Sequence, residues 1–290
     1  MRQKKVVPPQ TINLNDSLIL EGDALRALQL LPSNSIQCVI TSPPYWGLRD
    51  YGVDGQIGLE PTLPQFLNHL VAVFNEVKRV LRDDGTLWVN IGDGYTSGNR
   101  GYRATDKKNP ARAMTVRPDT PEGLKPKDLI GIPWRLAFAL QDDGWYLRSD
   151  IVWNKPNAMP ESVKDRPTRS HEYLFMFTKS EQYFYNHEAV KEVGLNGKPR
   201  NRRSVWNINT QPFADAHFAT FPISLIEPCI TASSKPGDYI LDPFFGSGTV
   251  GLACNQKERN YVGIELNPEY ISIAATRLAV KEKRIIKVAA

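Results

Sequence analysis

Short apolar runs alternate with stretches of helical spacing along most of the chain. Ser17-Leu18-Ile19-Leu20-Glu21-Gly22-Asp23 predicts a short strand closed by a Gly-Asp turn, and the spacing from Ala24 to Leu31 predicts a helix that Pro32 stops. Ile36-Gln37-Cys38-Val39-Ile40 reads as a second strand running directly into Thr41-Ser42-Pro43-Pro44-Tyr45-Trp46. Phe66, Leu67, Leu70, Val71, Phe74, Val77, Val80 and Leu81 recur at helix period over Leu63 to Leu81, and Asp84-Gly85 predicts a turn into the strand Thr86 to Ile91. Further along, the pattern predicts a helix over Pro133 to Leu140 and strands over Trp145 to Trp153 and Tyr173 to Thr178. The last third reads as the helix Ile223 to Ala232, the strand Tyr239 to Leu241, a glycine-rich turn, a helix through Cys254, the strand Tyr261 to Glu265 and a closing helix from Pro268 to about Lys281. Strands alternating with helices imply an α/β fold with a mostly parallel sheet.

Two segments break this pattern. From about Gly92 to Lys127 large aliphatic residues almost vanish, and Arg100 to Lys127 holds eight basic against three acidic side chains. A second basic stretch, Lys191 to Arg203, precedes Val205-Trp206-Asn207-Ile208. Structureless runs of this length inside a domain are usually functional or disordered. A net charge of +5 over 290 residues, with 41% hydrophobic residues, excludes a disordered or fibrous chain. No stretch is apolar enough for a membrane span or signal peptide, so a cytoplasmic protein is expected. Cys38, Cys229 and Cys254 are widely spaced in apolar surroundings and read as buried thiols, and the four histidines show no close metal-ligand spacing, so no metal is expected.

Candidate chemistry begins at the glycine-rich turn. Gly246-Ser247-Gly248-Thr249-Val250-Gly251 fits G-x-G-x-x-G between a strand and a helix, and Glu265 follows Gly246 by 19 residues at the end of the next strand. Glycines let the backbone approach a ligand, and an acid at that place hydrogen-bonds ribose hydroxyls, so an adenosine-containing cofactor is expected. Only 25 residues follow Glu265, too few for the further strands of a nicotinamide-binding fold, so the rest of the sheet comes from upstream and the motif order is circularly permuted. Asp242, just before the turn, would repel a pyrophosphate and attract an ammonium group. S-adenosylmethionine has an ammonium, a sulfonium and no phosphate.

The other candidate is the proline-stiffened tip. Its two prolines remove backbone donors and fix φ, which leaves carbonyls held out as acceptors for an amino group. Ser42 adds a hydroxyl, and Tyr45 with Trp46 offers aromatic faces for a flat heterocycle. Ser-Pro-Pro-Tyr at one tip, Asp-Pro-Phe-Phe-Gly-Ser-Gly-Thr at another and a Tyr-Val-Gly-Ile-Glu-Leu strand resemble the amino-methyltransferases of DNA. The order, catalytic tip first and cofactor loop last, resembles the β group of that family, and the likeness runs from about Leu18 to Leu278.

That resemblance implies a Rossmann-like, S-adenosylmethionine-dependent methyltransferase fold, with one catalytic domain over 14–290, a basic loop insertion at 93–127 and a short target-recognition segment at 180–215. It implies that Ser42, Pro43, Pro44 and Tyr45 hold the target base and that Asp242, Phe244, Gly246 and Gly248 line the methionine end of the cofactor. Glu265 is then expected at the ribose and Asp23 near the adenine edge, with Ser247, Thr249 and Asn267 completing the cofactor set. His217-Phe218-Ala219-Thr220-Phe221-Pro222 is similar to the family's upstream cofactor motif, which adds His217, Thr220 and Phe221. Trp153-Asn154-Lys155-Pro156, Arg166, Arg169 and His171-Glu172 also resemble family positions near the target pocket, without an individual assignment.

The expected reaction is direct. The Ser42 hydroxyl and Pro43 carbonyl draw the two amino hydrogens out of the ring plane, localising a lone pair that attacks the sulfonium methyl in line. No cysteine stands in a Pro-Cys turn for attack on a ring carbon. The base is flipped out of double-stranded DNA, with Tyr45 replacing lost stacking. Serine at position 42 goes, in the resembled family, with cytosine; adenine is the alternative, and an RNA or protein-glutamine substrate or a lapsed binding module are more distant ones. Arg100, Arg103, Lys107, Lys108, Arg112, Lys198, Arg200, Arg202 and Arg203 are expected at DNA phosphates, with Trp206, Asn207 and Asn209 as base readers. A cognate restriction endonuclease is a partner that the resemblance admits.

Overall fold

The computed structural model describes residues 11–96, 118–211, 221–280 and 284–288. In chain order the elements are β1 (Leu18–Glu21), α1 (Ala24–Gln29), β2 (Ile36–Thr41), α2 (Leu63–Val80), β3 (Leu81–Ile91), α3 (Ile132–Asp142), β4 (Tyr146–Asn154) and β5 (His171–Thr178), followed by β6 (Glu192–Val193), β7 (Pro199–Arg200), β8 (Val205–Asn207), α4 (Ile223–Ser233), β9 (Tyr239–Asp242), α5 (Thr249–Gln256), β10 (Asn260–Glu265), α6 (Pro268–Leu278) and β11 (Ile285–Lys287). Nine strands form one sheet in the order β11-β1-β10-β9-β2-β3-β5-β4-β8, and β6 pairs with β7 as a separate hairpin. Pairing is parallel from β11 through β3, antiparallel on both sides of β5, and parallel again between β4 and β8.

Alternation along the strands feeds two cores, because successive side chains point to opposite faces. Leu18 and Leu20 of β1, Val39 of β2 and Leu87 and Val89 of β3 pack with α1, α2 and α3. Ile19, Ile40 and Trp88 face the other way, against Ile226 and Ile230 of α4, Val250 and Cys254 of α5, and Ile271 and Leu278 of α6. Strands buried on both faces read as continuous apolar runs, which is why β2 and β10 stand out in the sequence.

Every strand and helix read from periodicity is present, with shifted ends. No turn interrupts the chain at Asp84-Gly85: α2 hands over to β3 at Leu81, in extended geometry, so the expected turn lies inside the strand. The closing helix stops at Leu278, with Ala279 at φ 50°, rather than running to Lys281. The short strands β6, β7, β8 and β11 carry too few residues to show a period. Among the described residues no helix is long and apolar enough to cross a membrane.

Candidate functional site

Strands β2 and β9 are neighbours whose crossovers leave to opposite faces: β2 continues through α2 on the first core, β9 through α5 on the second. Such a switch point opens a crevice at the carboxyl ends of the strands. A cavity of about 320 Å³ lies there, bordered by the ends of β1 (Gly22, Asp23), β2 (Ser42, Pro43, Pro44, Tyr45), β9 (Asp242 to Ser247) and β10 (Glu265). The two tips are joined directly, since Thr41 Oγ1 donates to Asp242 Oδ1 at 2.7 Å. The permuted halves therefore meet in one place, as the motif order requires.

Asp242 is only 3% exposed, and its Oδ1 also accepts from the Phe244 N–H at 3.0 Å. Burial pushes its pKa up to about 7 against the hydrogen bonds from Thr41 and Phe244, while Glu265 adds to the rise. The strand-tip carboxylate expected from the sequence is thus a buried acid near its titration point. Glu265 bridges the glycine turn to α6: Oε2 accepts from Gly246 N–H at 2.7 Å and Oε1 from Asn267 N–H at 2.8 Å. Its pKa is also raised by burial, opposed by those backbone donors.

Asn267 caps α6, accepting from Glu269 N–H at 2.9 Å, and Asp23 caps α1, accepting from Arg26 N–H at 3.0 Å; both line the cavity. Phe221, Phe244, Gly246, Ser247 and Thr249 line it too, the Ser247 hydroxyl accepting from Arg277 at 2.8 Å. At Gly246, with φ 51°, the space where a Cβ would project is open. Gly248 does not line the cavity. It sits at φ 82°, where an added Cβ would lie 3.0 Å from Leu278 and 3.1 Å from Ala274, so its role is to let α6 pack closely. His217 and Thr220 lie outside the described residues.

On the opposite wall the Tyr45 hydroxyl donates to Glu172 Oε2 at 2.9 Å, and Lys155 Nζ binds the other oxygen of that carboxylate. Antiparallel pairing of β4 with β5 sets Trp153 opposite Glu172 and Asn154 opposite His171, which brings Lys155 to the carboxylate and 4.2 Å above the Trp153 ring. Burial, then Glu172, hold the Tyr45 phenol well above its ordinary pKa, outweighing the Ser42 hydroxyl and the Gly92 backbone. Lys155, Glu172, Trp153 and Asn90 all line the cavity. The first three belong to segments that the sequence marked without a role; the unread loop 48–57 supplies Arg49, Tyr51 and Ile57, with the Tyr51 ring edge-on to Tyr270 at 6.0 Å.

Trp46 is not a stacking face. It is 7% exposed, belongs to the first core and donates from Nε1 to the Glu60 carbonyl at 2.9 Å, which holds the loop after the tip. Trp206 is likewise 6% exposed, with Nε1 on the Arg203 carbonyl, and so is no base reader: β8 buries its central side chain against the sheet. Asn207 and Asn209 are exposed, and Asn207 accepts from Asn154 Nδ2 at 2.8 Å. Of the basic residues, Lys198 and Arg203 are exposed, Arg200 is paired with Glu192 at 2.8 Å, and Arg202 lies 4.3 Å over the Trp206 ring. Arg100, Arg103, Lys107, Lys108 and Arg112 lie outside the described residues. Thr210 and Gln211, just past β8, reach the cavity wall, so this basic segment adjoins the site. Cys38, Cys229 and Cys254 are buried free thiols.

Relatives share this layout over the full chain. The Type II methyltransferase M.Cfr9I of Citrobacter freundii is 72% identical over 99% of this chain and 96% of its own. The Type II methyltransferase M.SmaI of Serratia marcescens is 59% identical, over 92% of each. Among solved structures, the PvuII DNA methyltransferase (cytosine-N4-specific) superposes with a TM-score of 0.68 at 23% identity, covering 93% of this chain and 88% of that one, a likeness of fold. The profile of the N6/N4 DNA methylases matches residues 36–276, and with the Ser-Pro-Pro-Tyr tip and the glycine turn closing on one cavity, the chain belongs to that family.

Proposed function

We propose that this protein is a Type II DNA methyltransferase that moves a methyl group from S-adenosylmethionine to the exocyclic amino group of cytosine in double-stranded DNA. The observation that carries the reading is the single cavity shared by Ser42, Pro43 and Tyr45 on one side and by Asp242, Gly246 and Glu265 on the other. Its cofactor side suits S-adenosylmethionine. Two buried carboxylates there favour a cation and ribose hydroxyls, and a pyrophosphate would meet their charge in a low dielectric. The M.Cfr9I and M.SmaI relatives support the Type II class, and the structure similar to this fold that was solved with S-adenosyl-L-methionine supports the cofactor.

When bound, the cofactor supplies an electrophilic methyl on its sulfonium. The protein supplies acceptors. Ser42 Oγ takes one amino hydrogen and the Pro43 carbonyl the other, which pulls the lone pair out of conjugation with the ring. The Tyr45 ring stacks on the flipped base, and exposed Lys198 and Arg203 meet the phosphates around it. Serine at 42, with the cytosine-N4-specific fold relative, favours cytosine over adenine. A cognate endonuclease is the partner that the relatives' Type II class suggests.

The test is methylation of mixed-sequence unmethylated DNA followed by mass spectrometry of the released nucleosides. Amino-methylcytosine, lost in Ser42→Ala, is the expected product. Amino-methyladenine would keep the acceptor mechanism and overturn the choice of base; no methylated nucleoside from protein that binds the cofactor would overturn the reading.

A further inference from the structure

The amino nitrogen starts with two hydrogens and ends with one hydrogen and one methyl, so each turnover must shed one proton. Neither the Ser42 hydroxyl nor the Pro43 carbonyl can retain it. On the reading just proposed, we infer that the Glu172 carboxylate is the terminal acceptor of that proton, reached from Ser42 through the Tyr45 hydroxyl.

The donors run in one direction. The target amino group donates to Ser42 Oγ, the Ser42 hydroxyl faces the Tyr45 oxygen, and the Tyr45 hydroxyl donates to Glu172 Oε2 at 2.9 Å. Lys155 holds the other carboxylate oxygen, which aims Oε2 at the phenol. Two further features show a built arrangement. At Gly92 an added Cβ would lie 2.8 Å from Tyr45 Cε2 and 3.3 Å from the Glu172 carboxyl carbon, so only glycine lets the end of β3 pass beside this pair. The register that places Trp153 opposite Glu172 also puts Lys155 over the Trp153 ring, fixing the ammonium.

The step balances. The amino nitrogen forms the N–C bond as the C–S bond breaks, and the sulfonium becomes a neutral thioether. The nitrogen's extra proton passes to Ser42 Oγ as the serine proton moves to Tyr45 and the tyrosine proton to Glu172. Burial makes the phenol hold its proton strongly, so Tyr45 serves as a conduit and never as a resting anion. The Glu172 side chain is 19% exposed, which lets it return the proton to water between turnovers.

The test compares wild type, Tyr45→Phe, Glu172→Gln and the double variant in single-turnover methyl transfer with saturating DNA and cofactor. Tyr45→Phe keeps the ring for stacking and removes only the hydroxyl. Each single change is expected to slow transfer about 100-fold while cofactor and DNA dissociation constants stay within about twofold, and the double variant is expected to be no slower than the singles. Mixed H2O and D2O rates should bow downward for wild type, as several protons move together, and run straight for the variants. Glu172→Asp is expected to recover part of the rate. Losses that multiply in the double variant, or a Glu172→Gln rate and isotope response equal to wild type, would overturn the relay. If Glu172→Gln fails to bind cofactor, Tyr45→Phe decides alone by the same rate and isotope criteria. Wild-type product analysis separates the two proposals: no amino-methylated base sinks the parent reading, whereas an amino-methylated base with unaffected variants sinks only the relay.

Discussion

Replacing Asp242 with asparagine should change how stability and cofactor affinity respond to pH, in opposite senses. The asparagine amide keeps an oxygen for Thr41 and for the Phe244 N–H but cannot ionise. In the native protein Asp242 titrates near about 7, against an ordinary value of 3.8. The folded state therefore holds the proton more tightly than the unfolded chain, and the stability this contributes is lost as pH rises from about 3.8 to 7. At roughly 1.4 kcal/mol per pH unit the whole window amounts to about 4 kcal/mol, of which about 2.5 kcal/mol falls between pH 5 and pH 8. Urea unfolding of the cofactor-free protein at those two pH values, wild type against Asp242→Asn, measures it; every other titrating group cancels in the difference. A cationic ligand that requires the ionised form should bind wild type about tenfold more tightly at pH 8 than at pH 6, relative to the same ratio in the variant. Unfolding curves whose pH dependence is identical in the two proteins would show that Asp242 ionises as an exposed acid does, and would refute the burial argument.

Gly248→Ala should destabilise by about 1–3 kcal/mol, because it combines φ 82° with contacts of 3.0 and 3.1 Å to Leu278 and Ala274; chemical denaturation reads it, and a loss under about 0.5 kcal/mol would mean that α6 yields freely. Lys198→Ala, at an exposed position of the β6–β7 hairpin, should weaken DNA binding on every sequence and reduce the slope of log K against log salt by about 0.9; an unchanged slope would remove this lysine from the phosphate contacts. The three thiols are buried, with Cys38 pushed up to about 12 by desolvation, so iodoacetamide should leave the native protein unmodified and label three sites only after denaturation.

Long periodic elements were legible because burial acts on many positions at once. In α2 the apolar stripe from Phe66 to Val80 follows the face that packs on the first core, and in β2 six consecutive buried residues leave no polar alternation to confuse the reading. The β8 and β11 strands escaped since three residues cannot display a period. Within the site, the tip and the glycine turn could be read because their chemistry is local: prolines fix a turn and glycines permit one. Trp46 and Trp206 misled for the converse reason. Whether an aromatic ring meets solvent or a core depends on partners distant in sequence, the Glu60 carbonyl and the β4 edge, that no local pattern discloses. The Lys155–Glu172 pair was visible as two motifs and acquires a meaning only from the register of β4 on β5.

Asp242 and Glu265 lie on adjacent parallel strands, Asp242 beside Gly263 and Glu265 two positions on, and burial raises the pKa of both. Backbone donors from Phe244, Gly246 and Asn267 offset part of that cost, yet the net shift of each acid stays upward. Two partly uncompensated acids in one crevice favour a ligand that brings positive charge and hydroxyl donors, and oppose a phosphate, whose charge would add to theirs. A nucleotide-type glycine turn needs the reverse electrostatics when it cradles a pyrophosphate on amide N–H groups. Here the Glu265 carboxylate itself occupies the Gly246 N–H, the donor that a phosphate would need. Selection between the two cofactor classes therefore rests on which anion fills the turn first, and in this chain it is a side chain of the protein.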